Sequence, residues 1–174
     1  MASGQPGIVD ERLVVGGIYI ILFLRTKSND QPDACNCHWG LYHHIDPMSG
    51  VKYHIKNMGV GWIADHGLTR RAMGSMFLIG LLRIGHCAPQ DRGRLQTIVE
   101  SFPLNQVPPG YGSLTCITWT LHIVNLFRRH QYVRCDDLSA LEQEATNMGM
   151  AHWGPAYDNV QPRPISDSRV CKLA

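Results

Sequence analysis

The run SLTCITWTLHIVNLFRRHQ at residues 113–131 is apolar nearly all the way round a helix, with a narrow polar stripe of Thr115, Thr118, His122, Asn125 and Arg129. A helix patterned like this belongs in the middle of a fold, wrapped by other elements, because a surface helix would carry a broad polar face. What surrounds it must come from the rest of 174 residues, a length that allows one domain with a full core and at most a tail. An apolar content of 44% against 17% charged residues supports a packed globular chain.

The first half reads as strands. LVVGGIYIILFL (13–24) is too short to span a bilayer, and its β-branched and aromatic content fits a buried strand. HWGLYHHI and VKYHIKN flank the turn formers DPMSG and read as an antiparallel hairpin. SMFLIGLLRIG (75–85), punctuated by glycines, reads as a further strand. The second half changes period. Residues 88–103 read as a helix opened by Pro89 and Asp91 and closed by Pro103, and 136–150 as another capped by Asp136 or Asp137. Strands first and helices later predict an α+β domain over residues 1–151, with a small antiparallel β-sheet packed on the central helix. Residues 1–10 are expected to fray, and residues 152–174, with three prolines and no periodicity, to form an extended C-terminal tail.

A net charge of +2 gives no pull towards nucleic acid, and the doublets Arg70-Arg71 and Arg128-Arg129 read as solvated edges. Six cysteines without framework spacing point to free thiols in a reducing, cytoplasmic setting, with no stable membrane insertion. The terminal CKLA places Cys171 as in a prenylation box, but Lys172 stands where an aliphatic residue is usual. Zinc held by Cys35, Cys37 and His38 would crowd its ligands, and no second pair completes a tetrahedron, so no metal or other cofactor is expected.

Cys116 gives the long helix a chemical role. With Ser113 or Thr115 as N-cap, the thiol falls in the first turn, where unpaired amides and the helix dipole favour a thiolate. The same amides can hold an oxyanion. A thiolate facing an imidazole from a neighbouring sheet is the minimal equipment for acyl transfer through a thioester. Most buried cysteines are instead small core hydrophobes, which makes a non-catalytic binding or structural protein the alternative.

HWGLYHH…VKYHI followed by LTCITW resembles the circularly permuted NlpC/P60 group of papain-like thiol enzymes, and within it the lecithin:retinol acyltransferase-like branch. That branch carries a His-Trp-x-x-Tyr strand, a second His on the next strand, and later a Cys opening a helix. The resemblance covers residues 38–54 and 113–120 and implies a permuted papain-like fold, His38 as general base, Cys116 as nucleophile and His54 as the residue orienting His38. Where the branch usually has Asn before its Cys and His two residues after, this chain has Thr115 and Thr118. The chain is also similar to uncharacterised fungal proteins with a His-Trp strand and a Cys-x-x-Trp helix.

Counting back from a four-residue DPMS loop pairs His38 with Asn57 and turns His54 to the opposite face, whereas a bulge at His43-His44 would restore His38 and His54 to one face. Asn57 is therefore the rival third residue. Tyr42 and Trp62 are the candidate substrate contacts, Trp62 within a glycine-bearing loop at 57–73. The expected substrate is a small molecule or peptide carrying an acyl group. Water as acceptor would make the protein a hydrolase, an amine or alcohol a transferase.

Overall fold

A computed structural model describes residues 10–25 and 37–173. Its main sheet has six strands in the order β6-β3-β2-β1-β7-β8. They are β1 (Gly17–Leu24), β2 (Cys37–Asp46), β3 (Ser49–Tyr53), β6 (Gly67–Thr69), β7 (Leu78–His86) and β8 (Ile165–Asp167). A separate hairpin pairs β4 (Ile55–Asn57) with β5 (Trp62–Ala64). All pairings are antiparallel except β7 with β8. Three helices follow: α1 (Arg92–Glu100), α2 (Cys116–Arg129) and α3 (Leu138–Tyr157). The α+β class and the mainly antiparallel sheet expected from the sequence are present.

Alternation along the strands separates two apolar layers. Ile20, Leu22, Trp39 and Leu41 join Trp119, Leu121 and Phe127 of α2 and Leu141 of α3 in the main core. Tyr19, Ile21, Tyr42, Leu78 and Leu81 form a smaller cluster on the other side of the sheet. Among the described residues, no helix is long and apolar enough to cross a membrane.

The segment from 152 on is not an extended tail. α3 continues through Pro155 to Tyr157, with Trp153 and Tyr157 stacked at 5.3 Å. β8 then adds to the sheet, anchored by Leu81 N donating to Pro164 O (3.0 Å) and Ser168 N donating to Arg83 O (2.9 Å). Arg83 also holds Asp167 through two hydrogen bonds of 2.8 and 2.7 Å. A strand added in this way needs only main-chain partners, so it leaves no periodic signature in the sequence. The loop expected at 57–73 likewise contains β5 and β6.

The hairpin register departs from the simple count. Asp46 pairs with Ser49, but His44 pairs with Gly50, so Ile45 is bulged. From there Leu41 faces Tyr53, and the next step puts Gly40 opposite His54. One extra residue moves His54 to the face that carries His38. Gly40 is what allows the approach: a Cβ there would lie 3.0 Å from His54 Cβ and 2.9 Å from Tyr53 O. Gly40→Ala is expected to cost about 1–3 kcal/mol, as overpacking does, and to push His54 away from β2. Urea denaturation measures the first effect and imidazole NMR shifts the second.

Candidate active site

His38 is the second residue of β2 and His54 lies between β3 and β4, so each is positioned by main-chain pairing on both sides. Their rings meet at 2.9 Å between His38 Nε2 and His54 Nδ1. The β4–β5 hairpin then folds back, and Asp65 N donates to His54 O at 2.9 Å. This brings Asp65 Oδ2 to 3.1 Å from His54 Nε2, off the best hydrogen-bond direction. The carboxylate is nevertheless the polar partner available to a buried ring nitrogen that has no other. Lys56 Nζ holds the same oxygen at 3.2 Å.

The protonation states follow from these neighbours. Burial, with Arg25 and Lys52 nearby, pushes His38 down to about 4, against a smaller opposing pull from Asp65. Burial, Lys52 and His38 push His54 down to about 4 as well. Burial raises Asp65, but Lys56, His54 and Lys52 outweigh it and hold the carboxyl below its ordinary value. At neutral pH the array is thus two neutral imidazoles and one carboxylate. An ionised Asp65 can only accept, which favours the His54 tautomer protonated at Nε2; in that tautomer Nδ1 accepts from His38 Nε2–H. His38 Nδ1 is left as the bare lone pair, with no hydrogen bond among the described residues. A bare ring nitrogen of this kind can accept a proton.

Cys116 is the first residue of α2. Thr115 is the N-cap: its Oγ1 accepts from Thr118 N at 3.1 Å, and Thr118 Oγ1 accepts from Thr115 N at 2.8 Å. The two threonines that depart from the branch pattern therefore build a reciprocal capping box, which fixes where the helix begins. Thr118 N is consumed by the cap, while the amides of Cys116 and Ile117 remain without a partner among the described residues.

The structure joins His38 to His54 but does not join Cys116 to His38 by a hydrogen bond. The sulfur is fully buried in the main core, whereas strand alternation directs His38 to the side of Phe23, whose ring lies 6.4 Å away. Arg25 is the group the two residues share. Its Nη2 donates to Cys116 Sγ at 3.4 Å, and its charge is the largest electrostatic influence on His38 after burial. Leu24 pairs with Cys37, so Arg25 and His38 sit at the same end of the sheet.

Asn57, the rival third residue, is exposed on β4, where its Oδ1 accepts from Gly59 N at 2.8 Å to close the β4–β5 turn. Trp62 is half-buried on β5 and packs against the main core. Tyr42 is buried on the other side of the sheet, its hydroxyl 2.9 Å from His44 Nδ1. Of the alternative zinc ligands, Cys35 lies outside the described residues, and Cys37 packs under α3, where a Cβ on Gly149 would be 3.0 Å from its sulfur. The described residues contain no group of three or more His, Cys, Asp or Glu able to hold a metal ion.

Sequence reasoning missed Asp65, Arg25 and His66. His66 Nδ1 accepts from His54 N at 3.2 Å, and its ring stacks on Trp119 at 5.8 Å, bridging the histidine pair to the first turns of α2. The available signal was the pair of positive-φ glycines, Gly59 and Gly61, which turn the chain back and return Asp65 and His66 to His54. Set against protein-family models, curated proteins and solved structures, the chain matches none of them.

Proposed function

We propose that the protein is a cysteine-dependent acyl-transfer enzyme on a permuted papain-like scaffold, with Cys116 as nucleophile and His38 as general base. The observation that carries this reading is the succession of contacts Asp65–His54–His38, in which the carboxylate favours the tautomers that leave Nδ1 of His38 unprotonated. Arg25 supports it, because its guanidinium donates to the Cys116 sulfur and sits at the sheet end that carries His38. The attack forms a bond from sulfur to the carbonyl carbon of an ester, thioester or amide. His38 takes the thiol proton and returns it to the leaving group, and the amides of Cys116 and Ile117, at the free start of α2, hold the oxyanion. Water or a second nucleophile, deprotonated by His38, then releases the acyl group. Bringing the base to the sulfur requires two movements at the sheet end the residues share: Arg25, exposed at a strand end, swings off Cys116, and the His38 ring turns from the Phe23 side towards the mouth of α2.

One observation favours a second reading, a binding or structural protein with an inert Cys116: the sulfur has no exposed surface and meets a guanidinium rather than an imidazole. Alkylation by iodoacetamide, mapped by mass spectrometry, separates the two. The enzyme reading expects Cys116 to react at least tenfold faster than Cys87, Cys135 and Cys171, and to slow in Arg25→Ala. Uniformly slow thiols would leave the binding protein.

The array has its own test. Asp65→Asn no longer dictates the His54 tautomer, and His54→Ala removes the orienting ring altogether. Turnover of an activated ester is expected to fall about tenfold in the first and about a hundredfold in the second, within the span of general-base contributions. Asn57→Ala is expected to leave turnover unchanged, and an Asn57 defect larger than that of His54 would overturn the assignment.

A further inference from the structure

A cavity of about 730 Å³ lies on the side of the sheet opposite the main core, between β2, the segment 70–76 and the chain around Arg163. Its volume is in the range of small-molecule sites, which combine apolar walls with a few convergent polar groups. The apolar wall is Leu13, Tyr42, Ala72, Met73 and Met76, and Met76 and Met48 are 57% and 41% exposed there. The Tyr42 hydroxyl and His44, tied together at 2.9 Å, supply a polar point on the same wall. Burial pushes His44 down, with Asp46 opposing, so the ring adds no charge at neutral pH.

The charges are unbalanced. Arg12, Arg70, Arg71 and Arg163 line the cavity against a single carboxylate, Asp10. Asp10 is engaged by Arg12 through hydrogen bonds of 2.9 and 2.6 Å. Arg70 and Arg71 are exposed and make no ion pair among the described residues. Arg163 is only 1% exposed, yet its partners are the carbonyls of Leu78, Val160, Met76 and Ala156 and the Asn159 amide oxygen, none of them a carboxylate. A buried guanidinium met only by dipoles keeps its charge uncompensated beside the cavity it lines.

We propose that this cavity binds a small organic anion, a phosphate or carboxylate group on an apolar body. The head group is met by Arg70 and Arg71 with Arg12 behind them, and the body lies against Tyr42, Met73 and Met76. Neither half suffices alone. The arginines at the rim would hold a bare ion weakly in water, and the apolar wall gives a neutral body no anchor. The inference stands apart from the acyl-transfer reading, since none of its residues belongs to the Cys116–His38–His54–Asp65 group.

The test is calorimetric titration of the full chain with 1-naphthyl phosphate, 1-naphthol and inorganic phosphate. Saturable one-to-one binding of 1-naphthyl phosphate is expected, at least tenfold tighter than either half-ligand and weakening as salt is raised. An R70A/R71A variant, altered only at exposed positions, is expected to lose at least tenfold in affinity with an unchanged melting temperature. Asp10→Asn, which frees Arg12, is expected to tighten binding severalfold. Equal binding of naphthyl phosphate and naphthol, equal binding of naphthyl phosphate and inorganic phosphate, or an R70A/R71A variant that binds like the parent would each overturn the proposal.

Discussion

Alanine at Cys116 is expected to reduce turnover of p-nitrophenyl acetate by at least a thousandfold, to the rate of the ester in buffer, with the circular dichroism spectrum and melting temperature nearly unchanged. The magnitude follows from the proposed role: if the reaction passes through a thioester, then without sulfur there is no acyl-enzyme, and neither the array nor the free amides supply a nucleophile. Alanine removes one small buried group, so the stability change is about 1 kcal/mol, well below total stability. His38→Ala is expected to match the loss, because a nucleophile and its base act as one unit and their effects do not add. The double variant therefore should be no slower than either single one. Residual turnover in Cys116→Ala above a tenth of the parent's would end the thiol mechanism, whatever His38→Ala does.

Acidification from neutral pH is expected to destabilise the fold through its buried histidines. His38 and His54 are pushed down to about 4, and burial lowers His43, His44, His66 and His122 in the same direction. An unfolded chain takes up protons on these rings as pH falls through about 6.5, whereas in the folded chain His38 and His54 resist until about 4 and the other four protonate below their ordinary value. The unfolded state thus binds more protons across that window, and stability falls as pH drops through it. Above pH 7 both states are neutral and the contribution is constant. For His38 and His54 together, allowing for their partial exposure, the loss between pH 7 and 4 is on the order of 5 kcal/mol, comparable with the whole stability of many domains. Asp10, Asp46, Asp65 and Asp136 are held below the ordinary carboxylate value, so their contributions disappear only at lower pH. Urea midpoints at half-unit pH steps measure the slope. A midpoint unchanged from pH 7 to 5 would mean these rings are not held neutral.

Local chemistry made much of the site legible in advance. Thr115 caps α2 through its own side chain, so the placement of Cys116 as the first helical residue needed only a hydroxyl at the right position. Asp137 does the same for α3, accepting from Ala140 N at 3.0 Å. The hairpin around Pro47 and Met48 was equally readable from its turn formers and flanking β-branched and aromatic runs.

Other features escaped because they depend on partners far along the chain. The bulge at Ile45 decides between His54 and Asn57, and a one-residue change of register is not visible in a count of the turn residues. β8 joins through backbone groups that every sequence possesses.

Amino-acid order alone therefore determined the strand-then-helix arrangement, the capped start of α2 and the presence of a thiol there, because caps, turns and periodicity act over a few residues. Tertiary structure decided that His54 rather than Asn57 meets His38, that Asp65 stands behind it, and that Arg25 comes to the sulfur. Those outcomes rest on register and desolvation, which exist only once distant segments have packed and excluded water.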